Sequence, residues 1–121
     1  VLAQVRRYAP GAPVTLHGHP DPWAAGPSPG LAPQVLPLVD RVLVPCWPTD
    51  PATAGLVRAL AGRTTVDAYV TVLQPAQAGQ LSAHVARLRD AGASRLSLYH
   101  LGLANAAQQP LLAALTREFR Q

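Results

Sequence analysis

Four short runs of β-forming residues punctuate the chain at nearly equal intervals, and this spacing limits the fold more than any other feature. The runs 14–19, 42–47, 66–73 and 96–100 begin 28, 24 and 30 residues apart. Such an interval holds one strand and one crossover helix with their loops, as a parallel strand requires, whereas a hairpin needs far less chain. Helical patterns fill the gaps. In 76–91, Leu81, Val85 and Leu88 recur at helical spacing, Arg87, Arg89 and Asp90 take the other side, and Gly92 stands at the stop. Pro51 opens a shorter helix over 52–60, and Leu111, Leu112 and Leu115 mark a last one with Pro110 in its first turn. The pattern over 31–38 is weaker, because Pro33 and Pro37 interrupt it. One more helix, 1–8, precedes the first strand. The stretch 20–30 carries four prolines and two glycines and is an irregular loop.

Strand alternation separates two architectures. Val66, Ala68, Val70 and Val72 share one face, and Asp67, Tyr69, Thr71 and Leu73 the other. By the same rule Leu96 and Leu98 point away from Ser97 and Tyr99, and Val14 and Leu16 away from Thr15, His17 and His19. A doubly wound sheet, covered by helices on both faces, reads as continuous apolar runs. A smooth face opposed to a polar, aromatic one suits the interior of a (β/α)8 barrel. We therefore expect an α/β fold of four parallel βα units, strands 5–8 of a TIM barrel, with residues 1–121 as its C-terminal half and an N-terminal half missing. The alternative is a small open parallel α/β sheet forming a single domain.

Composition removes several function classes. With 49% hydrophobic and 13% charged residues the chain buries a core. One cysteine excludes an internal disulfide or a cysteine-based zinc site, and the absence of lysine excludes Schiff-base chemistry and a P-loop. There is no Gly-x-Gly-x-x-Gly, so no nucleotide cofactor, and indeed no cofactor, is expected. The net charge of +4 comes from ten scattered arginines, most near helix C-terminal ends where they offset the dipole. This reads as a solvated surface, not a nucleic-acid face. No apolar run reaches the roughly 18 residues of a membrane span, so a cytoplasmic protein is expected. The 22 alanines and the absence of Ile and Met indicate a GC-rich genome, and a start in a helix without Met indicates a portion of something longer.

Parallel strands gather their C-terminal ends on one rim. There the sequence places His17, His19, Asp21 and Trp23, then Cys46, Trp47 and Asp50, then Tyr69, Thr71 and Gln74, and finally Tyr99, His100 and Asn105. Four of the six aromatic residues belong to this set. Aromatic faces are apolar plates suited to stacking on sugar rings. The strings ValLeuValProCysTrp (42–47), AlaTyrValThrValLeu (68–73) and LeuTyrHisLeuGlyLeuAla (98–104) resemble the closing strands of glycoside-hydrolase-like TIM-barrel proteins of high-GC bacteria, over residues 15–115. The resemblance implies a hydrolase-like barrel and carries over no catalytic residue.

On this reading the ligand is a carbohydrate or another small molecule. Asp21 is the local candidate acid or base, with His17 and His100 beside it in the catalytic set, although Asp21 and Asp50 also suit turn roles beside proline. His19, Tyr69 and Tyr99 orient hydroxyls, and Trp23 and Trp47 stack on a ring. Cys46 lies at the same strand end, as part of the substrate surface or as a small buried filler. Two alternatives stay open: a metal-dependent hydrolase using His17-x-His19 with His100, and a ligand-binding barrel without catalysis. Asp67 lies low on its strand, away from the rim, and His84, within a helix, reads as a surface residue.

Overall fold

The structure, a computed structural model, describes residues 1–18, 33–47, 51–73 and 78–121. Helix α1 (Leu2–Tyr8) leads to strand β1 (Thr15–His17). A 3-10 helix over Pro33–Leu38 then precedes β2 (Arg41–Pro45). The chain continues through α2 (Pro51–Ala61), β3 (Thr65–Thr71), α3 (Ala78–Asp90), β4 (Arg95–Tyr99), a 3-10 turn (Leu101–Leu103) and α4 (Gln109–Arg120). The described part of the expected weak helix over 31–38, Pro33–Leu38, is thus a 3-10 helix, in keeping with Pro37, which has no N–H to give to an α-helical ladder.

The four strands form an open, all-parallel sheet in chain order, β1-β2-β3-β4. Register sorts the side chains. Leu16, Val42 and Val66 share one row, Val44, Ala68 and Leu96 the next, and Val70 and Leu98 the next. These residues meet Val57 and Leu60 of α2, Leu81, Val85 and Leu88 of α3, and Leu112 and Leu115 of α4 in one hydrophobic core. Crossovers of constant hand between strands in chain order place α2, α3 and α4 on the same face. The opposite face carries Thr15, His17, Arg41, Leu43, Asp67, Tyr69, Ser97 and Tyr99, and no described helix packs on it.

The first residues of β1, β2 and β3 share one register row, while the strand midpoints shift along the strand direction. The midpoints are Leu16, Leu43, Ala68 and Ser97. Leu43 faces His17, Ala68 faces Val44 and Ser97 faces Tyr69, so each strand is centred one residue beyond its predecessor.

Polar anchors fix the ends. Arg6 of α1 donates to the Leu38 carbonyl at 2.9 Å, to the Ala12 carbonyl at 3.0 Å and to Asp40 Oδ2 at 2.9 Å. Asp40 also accepts the Val14 amide at 2.6 Å, and that bond, followed by the Arg6 guanidinium, holds its carboxyl below the usual carboxylate range. Arg89 reaches from α3 to the Glu118 carbonyl of α4 at 2.7 Å. Arginines that read as solvated surface thus act as cross-links. Ahead of α4, Asn105 and Gln108 exchange amide hydrogen bonds of 2.9 and 3.1 Å in the manner of a capping box, and Gln108 Nε2 donates to the Val72 carbonyl at 3.0 Å.

Gly92 ends α3 as the sequence requires. Its φ is +104°, the Ala93 amide returns to the Leu88 carbonyl at 3.1 Å and the Gly92 amide to Arg89 at 2.8 Å, a Schellman motif. A Cβ at this position would lie 2.7 Å from Ala61 Cβ of α2. Gly92→Ala is therefore expected to destabilise the protein by about 1–3 kcal/mol, through backbone strain and this clash. A urea-unfolding midpoint equal to that of the unaltered protein would contradict this account.

Candidate functional site

The site is built on the C-terminal ends of β2, β3 and β4. Trp47 follows β2 by two residues and keeps the parity of Arg41, Leu43 and Pro45, so it projects on the open face. Tyr69 and Tyr99 project there from β3 and β4. The three rings meet. Trp47 and Tyr69 lie 4.9 Å apart at 54°, Trp47 and Tyr99 5.4 Å apart at 74°, and Tyr69 and Tyr99 5.4 Å apart at 82°. His100 sits edge-on to Tyr99 at 4.9 Å and is exposed. The Tyr99–His100 peptide is cis.

These distances define what the cluster can do. A flat ligand sandwiched between two rings needs about 7 Å between their centroids, and no pair here is that far apart. The rings pack on one another and form a single plate, each half-buried, with outer surfaces and hydroxyl edges left to a ligand. Desolvation, with the neighbouring Tyr99 phenol second, pushes the Tyr69 phenol above its ordinary pKa. Tyr69 is therefore neutral at ordinary pH, able to donate as well as accept.

His17 does not join the plate. It is exposed on β1, in the register row of Leu43, Asp67 and Arg95 and across the sheet from Tyr99. Three strand spacings, about 14 Å along the sheet, separate β1 from β4, so His17 and His100 stand on its two edge strands. Among the described residues no three His, Cys, Asp or Glu side chains come together as metal ligands. His19, Asp21 and Trp23, together with Asp50 and Gln74, lie outside the described residues.

For Cys46 the buried-filler reading holds and the substrate-surface reading is corrected. Its parity sends it to the helix side, where it is 0% exposed and its thiol donates to the Val44 carbonyl at 3.3 Å. Burial pushes the thiol up to about 12. It is a core filler and not part of a substrate surface. His84, read as a surface residue, is also fully buried, with Nε2 3.2 Å from the Cys46 carbonyl oxygen, tying α3 to the end of β2. Its helical position between Leu81 and Val85 was the available signal, since it falls on the apolar stripe.

The sequence also undervalued Asp67. Its side chain is only 9% exposed and bonds Arg41 at 3.0 Å across two strands, while Oδ1 is buried without a partner. The pair lies on the open face below the plate. Among the described carboxylates Asp40 pairs with Arg6, Asp90 with Arg89, and Glu118 lies near Arg89. None stands at the plate.

No family model matches the sequence, and no curated protein or solved structure does either.

The Cys46 geometry has two measurable consequences. A thiol reagent at pH 8 is expected to leave the folded protein unmodified and to label one thiol per chain once it is unfolded. The unfolded thiol ionises near 9.0 and the folded one near 12, so the unfolded state sheds its proton first. The cysteine's contribution to stability is then constant below about pH 9 and declines as the pH rises toward 12. A Cys46→Ala variant should show a shallower alkaline decline in urea titrations. Equal slopes in the two proteins would refute the assignment.

Proposed function

We propose that this chain is four consecutive βα units, strands 5–8, of a (β/α)8 barrel, and that the plate at the mouth binds carbohydrate in a glycoside-hydrolase-like protein. The observation that carries the binding reading is the contact of Trp47, Tyr69 and Tyr99, three rings from successive strand ends joined into one surface. A sugar ring offers a flat array of C–H groups to such a plate and hydroxyls to its edges. The two phenol hydroxyls and the exposed His100 imidazole supply the hydrogen bonds.

The barrel reading is supported by the shift of the strand midpoints. A closed barrel of eight strands with a shear of about eight gains about one residue per strand, and the strand midpoints of this sheet shift by one residue at each of its three steps. Chain-order strands with helices on one face agree with it. The reading requires four further βα units against the open face, supplied in a longer protein by an N-terminal half.

Glycoside hydrolysis needs two carboxyl groups across the scissile bond. Asp21 is the local acid or base in this proposal, with His17 and His100 orienting groups at the mouth, His19 and Trp23 completing the sugar surface, and a second carboxylate on the other half. Asp67, buried against Arg41, is left to structure.

Tryptophan fluorescence titration with a panel of cello-, xylo- and chito-oligosaccharides tests the binding. Tyr99→Ala and Trp47→Ala are each expected to weaken it roughly 2- to 10-fold, the size of one aromatic stacking contact. In the complete barrel Asp21→Asn is expected to lower turnover of chromogenic glycosides by about 100-fold or more. Absence of any sugar binding, or binding unchanged by both aromatic substitutions, would defeat the carbohydrate reading.

A further inference from the structure

The two edge strands of the sheet are chemically complementary. At the β4 edge, a cleft of about 290 Å³ opens between the strand and α4, lined by Ser94, Arg95, Leu96, Thr116, Phe119 and Arg120. It holds about twice the volume that seats a benzene-sized group. Leu96 and Phe119 on its wall pack on the core with one side only partly covered. At the β1 edge, Val14 and Leu16 show the converse: aliphatic side chains on the helix-side face, packed on the core yet half-exposed because no described strand flanks β1 there. One edge has a cleft for apolar side chains, and the other has apolar side chains without a seat.

We propose that, when this chain is the only polypeptide present, two copies close on each other about a two-fold axis, β4 of each beside β1 of the other, and complete an eight-stranded parallel barrel. The proposal rests on the barrel reading above and commits its open face to a second copy. An axis along the barrel keeps all eight strands pointing the same way and makes the two new junctions identical, so the assembly stops at two.

The register follows from the shift of the strand midpoints. If β1 of the second copy is centred one residue beyond the midpoint of β4, its Leu16 faces Leu98 and its Val14 faces Leu96. These residues already share the helix-side face, so the alternation of sides is preserved through the junction. On the inner face the second copy's Thr15 then faces Ser97, and its His17 faces Tyr99. The imidazole that lies across the sheet from the aromatic plate within one chain thus arrives beside it from the other. The mouth is incomplete without the second copy.

Cross-linking reads this register directly. Thr15 is exposed and Ser97 half-buried, so cysteines are tolerated there. Within a chain the two positions are three strand spacings apart, about 14 Å, beyond the roughly 7 Å limit of a disulfide. Across the junction their Cα atoms stand about 5 Å apart, within reach. Cys46 is buried and silent.

Sedimentation equilibrium of the unaltered chain is expected to give twice 12.7 kDa. Under mild oxidation the Thr15→Cys/Ser97→Cys variant is expected to form a reductant-sensitive covalent dimer, and each single variant to remain uncrosslinked. A monomeric mass overturns the proposal, as does a dimer whose double variant does not cross-link. Cross-linking of a single variant overturns it too, since that reports like edges paired antiparallel. Oligosaccharide titration of the same samples keeps the two readings apart. A monomer that binds sugar defeats the dimer alone, and a cross-linked dimer that binds none defeats the carbohydrate reading alone.

Discussion

All three α-helices after β1 pack against the same side of the sheet, and this one-sided packing governs the rest of the molecule. It follows from strands that lie in chain order with crossovers of a single hand. Val42, Val44, Val66, Ala68 and Val70 become a buried wall, covered by α2, α3 and α4. The other side carries no described helix, so its side chains answer to a different rule. Polar and aromatic residues are tolerated there, and the cost of burying Asp67 is offset by Arg41. A parallel sheet is usually covered on both faces, and here the described helices cover one.

The same asymmetry explains the site. Side chains of equal parity on neighbouring strands stand side by side on the open face, and those nearest the C-terminal ends are rings. Once Trp47, Tyr69 and Tyr99 are brought within 5.4 Å, their preference for tilted and edge-to-face contacts fixes them as a plate. No described carboxylate stands beside the plate. The ring surface thus belongs to the ends of β2, β3 and β4 alone.

How much of this was legible varies residue by residue. Alternation in 66–73 identified both faces of β3, and the Leu81, Val85 and Leu88 stripe with Gly92 identified α3 and its Schellman stop, because periodicity and a left-handed glycine are local properties. The aromatic set at the strand ends was legible for the same reason, requiring only parity and direction. His84 was misread, and Cys46 was left between the substrate surface and the core. Whether a polar residue on a helix faces water, or a cysteine a ligand, depends on which neighbour arrives, and here α3 docks His84 against the end of β2. Arg6, Arg41 and Arg89 were read as surface charge because their partners Asp40, Asp67 and the Glu118 carbonyl are distant in sequence.

The sequence by itself determined the repeating strand-and-helix order, the face each strand offers its helices, and the presence of rings at three strand ends, since these rest on spacing and side-chain alternation. Only the tertiary structure decided the order of the strands in the sheet, the one-residue shift of their midpoints, the joining of the rings into a plate and the separation of His17 from it. Those are set by which segments pair and in what register, and pairing is a property of distant parts of the chain meeting in space.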